Sequence, residues 1–405
     1  MKMNKPAVAG GTPIRNRFLP FNRPFINHYD IAAVTASLSR DVLSMGELVD
    51  EFEKAFATYT GSKYAVAVSS GSAGLHIALM AAGIGHQEEV ICTSLTHPGT
   101  THCILYQKAV PIFTDISLAT YNLDPDEIKV RLTDRTRAMI ITHYAGLPCD
   151  MARIGKLARE RDLLVIEDAT MALGAECNGE IKEGTTGHIG VFSFSGVNGI
   201  TTGEGGMVVT NDEETFQWLN MFRNMGVVTN IEQFSKYPGP WHREVQDLGF
   251  NYRLTEMQAA LGLSQLARAE QFIKRRKYIA DRYNSAFTGC WELIIPPVPE
   301  SVRPSWDIYP LRINPAAFKC SRREIFEALL AENIGVDVLF QPVYLHPYYV
   351  WIGHPDVCAI TGSLCPRAEE VYESLICLPI YPAMTEQDIA DVIEAVIRVI
   401  SYYRN

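Results

Sequence analysis

Positive charge is the minority in this chain. Against 36 Lys and Arg stand 46 Asp and Glu, a net charge of −10 at pH 7, and no basic run longer than the four residues 274–277 offsets it. A grip on nucleic acid needs clustered cations, so nucleic acid is not an expected partner. Long apolar runs are missing as well: the apolar stretches fall short of the roughly 20 residues that a membrane span requires. The opening MKMNKPAVAGGTPIRNR has no apolar core of the signal-peptide kind. The expectation is a cytoplasmic protein without a membrane partner. Paired cysteine motifs are also absent. The nine cysteines stand at 92, 103, 149, 177, 290, 320, 358, 365 and 377 with no CxxC, which argues for reduced thiols and against a disulfide framework or a structural zinc. Neither GxGxxG nor GxxxxGK(S/T) occurs, which weakens NAD and ATP as ligands. No HxxxH or HExxH spacing offers a metal site.

What the chain does have is alternation. At roughly 150 residues per domain, 405 residues make about two or three domains. Between Asp41 and about Asn211, strand-like runs such as YAVAVSS, EVICTSL, VPIFTDI, RAMIITHYAG and LLVIEDAT are separated by helix-like ones such as AGLHIALMAAGIG and MARIGKLARERD. Strand, helix, strand, helix predicts an α/β fold with a mostly parallel sheet covered on both faces. In such sheets the loops after the strands' carboxyl ends form the binding crevice. Here those loops read SSGSAG, SLTHPGTT, THYAGLPCD, EDATMA and FSFSGVNGITTGEGG. One long helical segment, RLTEMQAALGLSQLARAEQFIKRRKYIADRYNSAF, follows, then a Pro-rich connection and a smaller α+β segment. The simplest division is a large domain over 1–265 and a small one over 266–405, with about the first 30 residues packing on either.

Two features of the loops carry chemistry. Ser69–Gly74 follows a strand and opens a helix, so its backbone N–H groups and the helix dipole favour an anion such as phosphate; a tight turn with nothing bound would use the same small residues. Asp168 ends an apolar strand, where a buried carboxylate needs donors or a cation. It fits a helix N-cap, or the partner of a protonated ring nitrogen in an electron-withdrawing cofactor.

Taken together, the blocks SMGELVDEFEKAFATYTGSKYAVAVSSGSAGLHIAL, VPIFTDISLATYNLDPDEI, LLVIEDATMALGAE, VFSFSGVNGITTGEGGMVVTND, DLGFNYRLTEMQAALGLSQL and ICLPIYPAMTEQDI resemble the DegT/DnrJ/EryC1/StrS family of sugar aminotransferases. The resemblance runs in order along nearly the whole chain. It implies the aspartate-aminotransferase-like fold, a seven-stranded large domain plus a small one, and pyridoxal 5'-phosphate or pyridoxamine 5'-phosphate as cofactor. It makes Gly71, Ser72 and Ala73 the phosphate turn, Ser193 a second phosphate contact and Asp168 the partner of the pyridine nitrogen. Asn251, in GFNYRLTE, would reach the phosphate of the other subunit of a homodimer. The implied substrates are a keto-sugar, nucleotide-linked, and an amino donor.

One departure bears on the reaction itself. Aligned on Ser193 and on Gly203-Glu204-Gly205-Gly206, the family's Schiff-base lysine falls at Asn198. An amide is neither nucleophilic nor basic near neutral pH, so the cofactor is expected to bind without a covalent link. Lys182, Lys274 and Lys277 offer no evident substitute. Met171 stands where Gln or His is common near the cofactor's phenolic oxygen, His97 where an aromatic commonly stacks on the ring, and Asp307 where many members carry His. Three further departures favour a natural lysine-less relative over a lysine-to-asparagine form of an aminotransferase. Related deoxysugar 3-dehydratases, which carry His at that position and use the amine form of the cofactor, are the precedent. A base would then come from His97 or, next, from His143, which a buried structural role suits equally. His76 is placed on an amphipathic helix, and His242, His346 and His354 at the surface. The alternative function is a non-catalytic cofactor- or sugar-binding homologue.

Overall fold

The computed structural model describes residues 5–405 apart from Asn178, Glu180, Val197, Thr229, Asp356 and 358–361. Helices α1 (His28–Ser37) and α2 (Glu47–Thr60) come first. The strands that follow are β1 (Tyr64–Val68), β2 (Glu89–Thr93), β3 (Val110–Thr114), β4 (Thr136–Thr142) and β5 (Leu164–Asp168), then a small hairpin of β6 (Glu176–Cys177) and β7 (Ile181–Lys182), then β8 (Ile189–Ser193) and β9 (Gly206–Thr210). All but the hairpin form one seven-stranded sheet, ordered β1-β9-β8-β5-β4-β2-β3. From β3 to β8 neighbours run parallel, while β9 is antiparallel to both β8 and β1.

Between the strands lie α3 (Gly71–Ala81), α4 (Pro98–Tyr106), α5 (Pro125–Arg131) and α6 (Met151–Arg161), with α7 (Glu213–Arg223) after β9. The period of two along each strand separates two cores. Val66, Val68, Ile140, Ile166 and Val191 pack with α3 and α4, whereas Ala65, Ala67 and Phe192 pack with α2 on the opposite face. Helix α3 lies flat on the sheet because Gly74 permits it: a Cβ there would stand 2.8 Å from Val191 and 3.0 Å from Val208.

After a short ladder of β10 (Val227–Val228) and β11 (Glu244–Val245), the long helical segment is two helices, α8 (Glu256–Leu266) and α9 (Ala269–Phe287). The break falls at Arg268, whose guanidinium reaches both carboxyl oxygens of Asp30 at 2.6 Å. That bond holds α8 against α1 and frees α9 to cross to the small domain. There β12 (Leu293–Ile294), β14 (Tyr309–Ile313) and β15 (Leu375–Leu378) form a three-stranded sheet, and β13 (Val302–Arg303) pairs instead with β6. Helix α10 (Arg322–Ala331) and helix α13 (Glu386–Tyr403) cover that sheet; α11 (Pro347–Trp351) and α12 (Pro366–Ser374) lie between them in the chain.

The boundary at residue 265 is not a clean cut. Leu19 sits in the small-domain core, and Arg15 bonds Asp388 at 2.8 Å and Asp391 at 2.5 Å, so the N-terminal segment packs on the small domain. Conversely Val343, Tyr344, Tyr349, Cys365 and Val371 return to the core of the large domain. Cys92, Cys103, Cys149, Cys365 and Cys377 are buried, and Cys177, Cys290 and Cys320 half-buried, while Cys358 lies outside the described residues. No helix among the described residues is long and apolar enough to cross a membrane.

Candidate active site

The crevice at the carboxyl ends of the parallel strands is built around two helix N-termini. Ser70 caps α3, its Oγ accepting the Ala73 N–H at 3.1 Å, and His97 caps α4, its Nδ1 accepting the Gly99 N–H at 3.1 Å. The Ser72 side chain lies against Gly99, so the two amino ends meet. Gly71 is packed so closely that a Cβ would come within 2.9 Å of Ser193 Cβ and 3.0 Å of Thr170 Cγ2. The turn Gly71, Ser72, Ala73 and the end of β8 at Ser193 therefore lie together at the amino ends of both helices, whose dipoles favour an anion there.

Asp168, at the end of β5, is 1% exposed and accepts four hydrogen bonds. Thr100 Oγ1 and Thr142 Oγ1 donate to Oδ2 at 2.7 and 3.2 Å, and Thr170 donates to Oδ1 through Oγ1 at 2.6 Å and N–H at 3.2 Å. Sequence reasoning missed these three threonines; their one local signal is a hydroxyl at or just past the carboxyl ends of β2, β4 and β5. Met171 is buried, and its carbonyl accepts from Ser305 Oγ at 2.9 Å. His97 stands at the rim, its ring edge-on to Phe340 at 5.9 Å. Its Nδ1 is committed to the helix cap, so service as a base would cost that cap.

Residue 198 lies beside this crevice. Asn198 Nδ2 donates to the Thr170 carbonyl at 3.0 Å and to Asp307 Oδ2 at 3.1 Å, and its Oδ1 accepts from the Ser195 hydroxyl. Asp307 enters on the segment before β14, which is stitched to the crevice by Ser305 N–H to the Gly146 carbonyl at 3.0 Å. Its carboxyl is buried, and Oδ1 has no hydrogen-bond partner among the described residues. Burial pushes its pKa up to about 6, against the opposing pull of Arg276 and of the Asn198 amide. Arg276, from α9, is itself buried and donates to the carbonyls of Gly199 at 3.2 Å and Asn198 at 3.4 Å.

The remaining candidates lie elsewhere. His143 does not reach the crevice: it is fully buried beneath the sheet, with Nε2 2.9 Å from Glu167 Oε2 and Nδ1 accepting the Cys149 N–H at 3.1 Å. Both ring nitrogens are engaged, which leaves neither to a substrate. Glu167 also accepts the N–H groups of Gly184, Thr186 and Gly187, and Glu183 approaches His143 Nε2 at 3.4 Å. These three side chains cluster as metal ligands do, yet the one proton-free nitrogen of His143 faces an N–H donor, so Nε2 carries the proton and has no lone pair for a cation. Lys182 spends its ammonium on the Tyr59 carbonyl at 2.5 Å and the Tyr59 ring, while Lys274 and Lys277 are exposed on α9. His354 is not at the surface but buried, with Nε2 3.0 Å from the Pro111 carbonyl, because the chain there returns to the large domain. His76 is buried against the Tyr252 hydroxyl at 3.1 Å; His242 and His346 are half-buried. Asn251 is exposed, its Oδ1 accepting from Arg253 Nε at 2.9 Å.

A helix amino end where a Cβ at Gly71 would crowd Ser193 and Thr170, with the buried carboxyl of Asp168 at the strand end beside it, is a donor set that suits a pyridine ring carrying a phosphate. The comparisons agree. The chain is 42% identical over 391 residues to an uncharacterized protein, MJ1066, of Methanocaldococcus jannaschii, covering 96% of this chain and all of that one. It is 38% identical to the spore coat polysaccharide biosynthesis protein SpsC of Bacillus subtilis, covering 94% and 97%, and 34% identical to the GDP-perosamine synthase of Caulobacter vibrioides, covering 89% and 92%. Among solved structures, Spr1654 of Streptococcus pneumoniae superposes in its PMP form with a TM-score of 0.88 and in its PLP form with 0.87, at 25% identity over 95% of this chain and 99% of that one. The description of the DegT/DnrJ/EryC1/StrS aminotransferase family matches residues 24–397, and the chain belongs to that family of pyridoxal-phosphate-dependent proteins.

Proposed function

We propose that this protein is an enzyme of sugar biosynthesis that holds its cofactor without a covalent bond and acts on a keto-sugar, nucleotide-linked. One observation supports the reading: Gly71, Ser72, Ala73, Ser193 and Asp168 lie together at one crevice, while the position beside them holds an amide instead of an amine. The relatives support a sugar as substrate, since one of them makes GDP-perosamine and another serves polysaccharide biosynthesis.

The chain's residues divide the work. The amino ends of α3 and α4 bind the phosphate, and Ser193 adds a hydroxyl to it. Asp168, held by its threonines, keeps a proton on the ring nitrogen, and when bound the ring supplies an electron sink next to the substrate carbon. Asn198 cannot attach the cofactor; it orients, joining the loop of Thr170 to Asp307. Asn251 is exposed in the protomer and in this reading completes the phosphate site of a partner copy, which makes the protein a homodimer. Without an amine at position 198, the amine form of the cofactor is the one the site suits.

Titration calorimetry of the purified protein with pyridoxamine 5'-phosphate and with pyridoxal 5'-phosphate tests the reading. Both should bind, and borohydride treatment followed by mass spectrometry should leave no lysine carrying a reduced cofactor. Failure of both to bind would remove the enzymatic reading.

A further inference from the structure

A buried carboxyl with one oxygen unpartnered is costly unless something uses it. Among the described residues Asp307 is such a group through its Oδ1, and its position is specific. Asn198 Nδ2 bridges its Oδ2 and the carbonyl of Thr170, whose own hydroxyl bonds Asp168 at 2.6 Å. Asp307 thus stands two hydrogen bonds from the loop that holds Asp168, on the segment that Ser305 pins to Gly146 and Met171 at the same crevice. The side chain at 198 is neutral, His143 is sealed beneath the sheet, and Nδ1 of His97 caps a helix.

We propose that Asp307 is the acid–base group of this site: its Oδ1 takes up and returns the proton that the amide of Asn198 cannot carry. The inference rests on the functional reading above. In the forward step the Asp307 carboxylate would take the proton from the amine-bearing carbon of a bound cofactor, whose conjugated ring would keep the electron pair of the broken C–H bond. The return step reverses this, so no oxidant or other reactant is needed. Among the described residues, Arg276 from α9 is the charged group that faces Asp307, and Asn198 is its hydrogen-bonded neighbour. Arg276 favours the carboxylate and burial favours the acid. The balance places the group where it can change state near neutral pH, as a proton carrier must.

The test loads the protein with pyridoxamine 5'-phosphate in deuterium oxide and measures deuterium in the recovered cofactor. The wild-type protein should incorporate deuterium, faster as pH rises through about 6, the value that burial gives Asp307. Asp307→Asn keeps the shape and an acceptor for Asn198, and should slow exchange about a hundredfold or more, with cofactor affinity and melting temperature as controls for the fold. Arg276→Met should move the pH midpoint upward by about one unit, since it removes the cation that favours the carboxylate. Infrared difference spectra of the protein without cofactor should show an acid carbonyl band that is present at low pH, lost at high pH and missing from Asp307→Asn. If the cofactor binds and Asp307→Asn exchanges as fast as wild type, or wild type does not exchange at all, this inference is overturned and the functional reading stands. If the cofactor does not bind the wild-type protein, the functional reading itself falls.

Discussion

Asp168 and Asp307 are both buried aspartates at one crevice, and they are built in opposite ways. Asp168 accepts from three threonine hydroxyls and a backbone N–H. Asp307 has one amide donor, a cation nearby and an oxygen without a hydrogen-bond partner among the described residues. Burial pulls a carboxyl toward the acid while donors and cations pull it toward the carboxylate, and at Asp307 burial prevails. Beneath the sheet the contrast recurs: Glu167 accepts three backbone N–H groups and the His143 ring, whereas neither oxygen of Glu183 has a hydrogen-bond partner among the described residues, and burial pushes Glu183 up to about 7.

The most visible way to break the contrast is Asn198→Lys. With pyridoxal 5'-phosphate the variant should turn yellow, as a lysine amine at that position forms an imine. Its ammonium would, however, lie within reach of Asp307, which favours the charged amine, so the colour should appear at lower pH in Asn198→Lys with Asp307→Asn than in the single variant. Visible spectra against pH decide this; a colourless protein in excess cofactor at any pH would favour a binding homologue. Next in size is Asp168→Ala, which removes a charge-assisted bond to the cofactor and leaves three hydroxyls without their acceptor. Affinity for pyridoxamine 5'-phosphate should fall roughly a hundredfold, about 3 kcal/mol, and a change under threefold by calorimetry would mean that Asp168 is only structural.

The donor-poor glutamate makes a prediction about stability. Folded, Glu183 holds its proton up to about pH 7; unfolded, it releases it near 4.5. Between those values the folded state binds more protons, so stability falls as pH rises through the window, and the penalty is complete above it, at about 3 kcal/mol as an upper figure. Glu183→Gln should therefore melt higher than wild type at pH 8 and close to it at pH 4.5. Equal melting at both values would show that Glu183 finds donors in solution. The smallest expected effect concerns the partner copy: Asn251→Ala should leave a dimer by sedimentation and weaken cofactor binding about tenfold, the worth of one hydrogen bond to a charged group. A stable wild-type monomer that binds the cofactor would sink that role.

Much of this was legible in the chain itself, for physical reasons. Periods of two and of 3.6 are local, so the alternating elements of the large domain, their loops and the strand-end position of Asp168 follow from nearest neighbours along the sequence. Asn198 was found by counting between flanking blocks. What escaped was set by contacts between distant segments. Arg268 breaks the long helix by reaching Asp30, 238 residues away in the chain; nothing local shows that Arg276 meets the carbonyls of Gly199 and Asn198; Val343, Tyr344, Tyr349, Cys365 and Val371 return to the large domain across a boundary that the sequence places at 265. His143 ends a strand on the active side, and only the fold shows it turned beneath the sheet.

The pair Glu167-Asp168 has a consequence for how this chain finds its fold. Successive residues of β5 point to opposite faces, and each carboxylate meets its donors on one face only: Glu167 among backbone N–H groups of the 184–187 turn, Asp168 among threonines. A slip of one residue in the pairing of β5 with β4 would exchange the two and strand both charges in apolar surroundings. Two adjacent acids in a central strand thereby act as a proofreading device for assembly of the sheet, rejecting the misaligned neighbour that a purely apolar strand would tolerate.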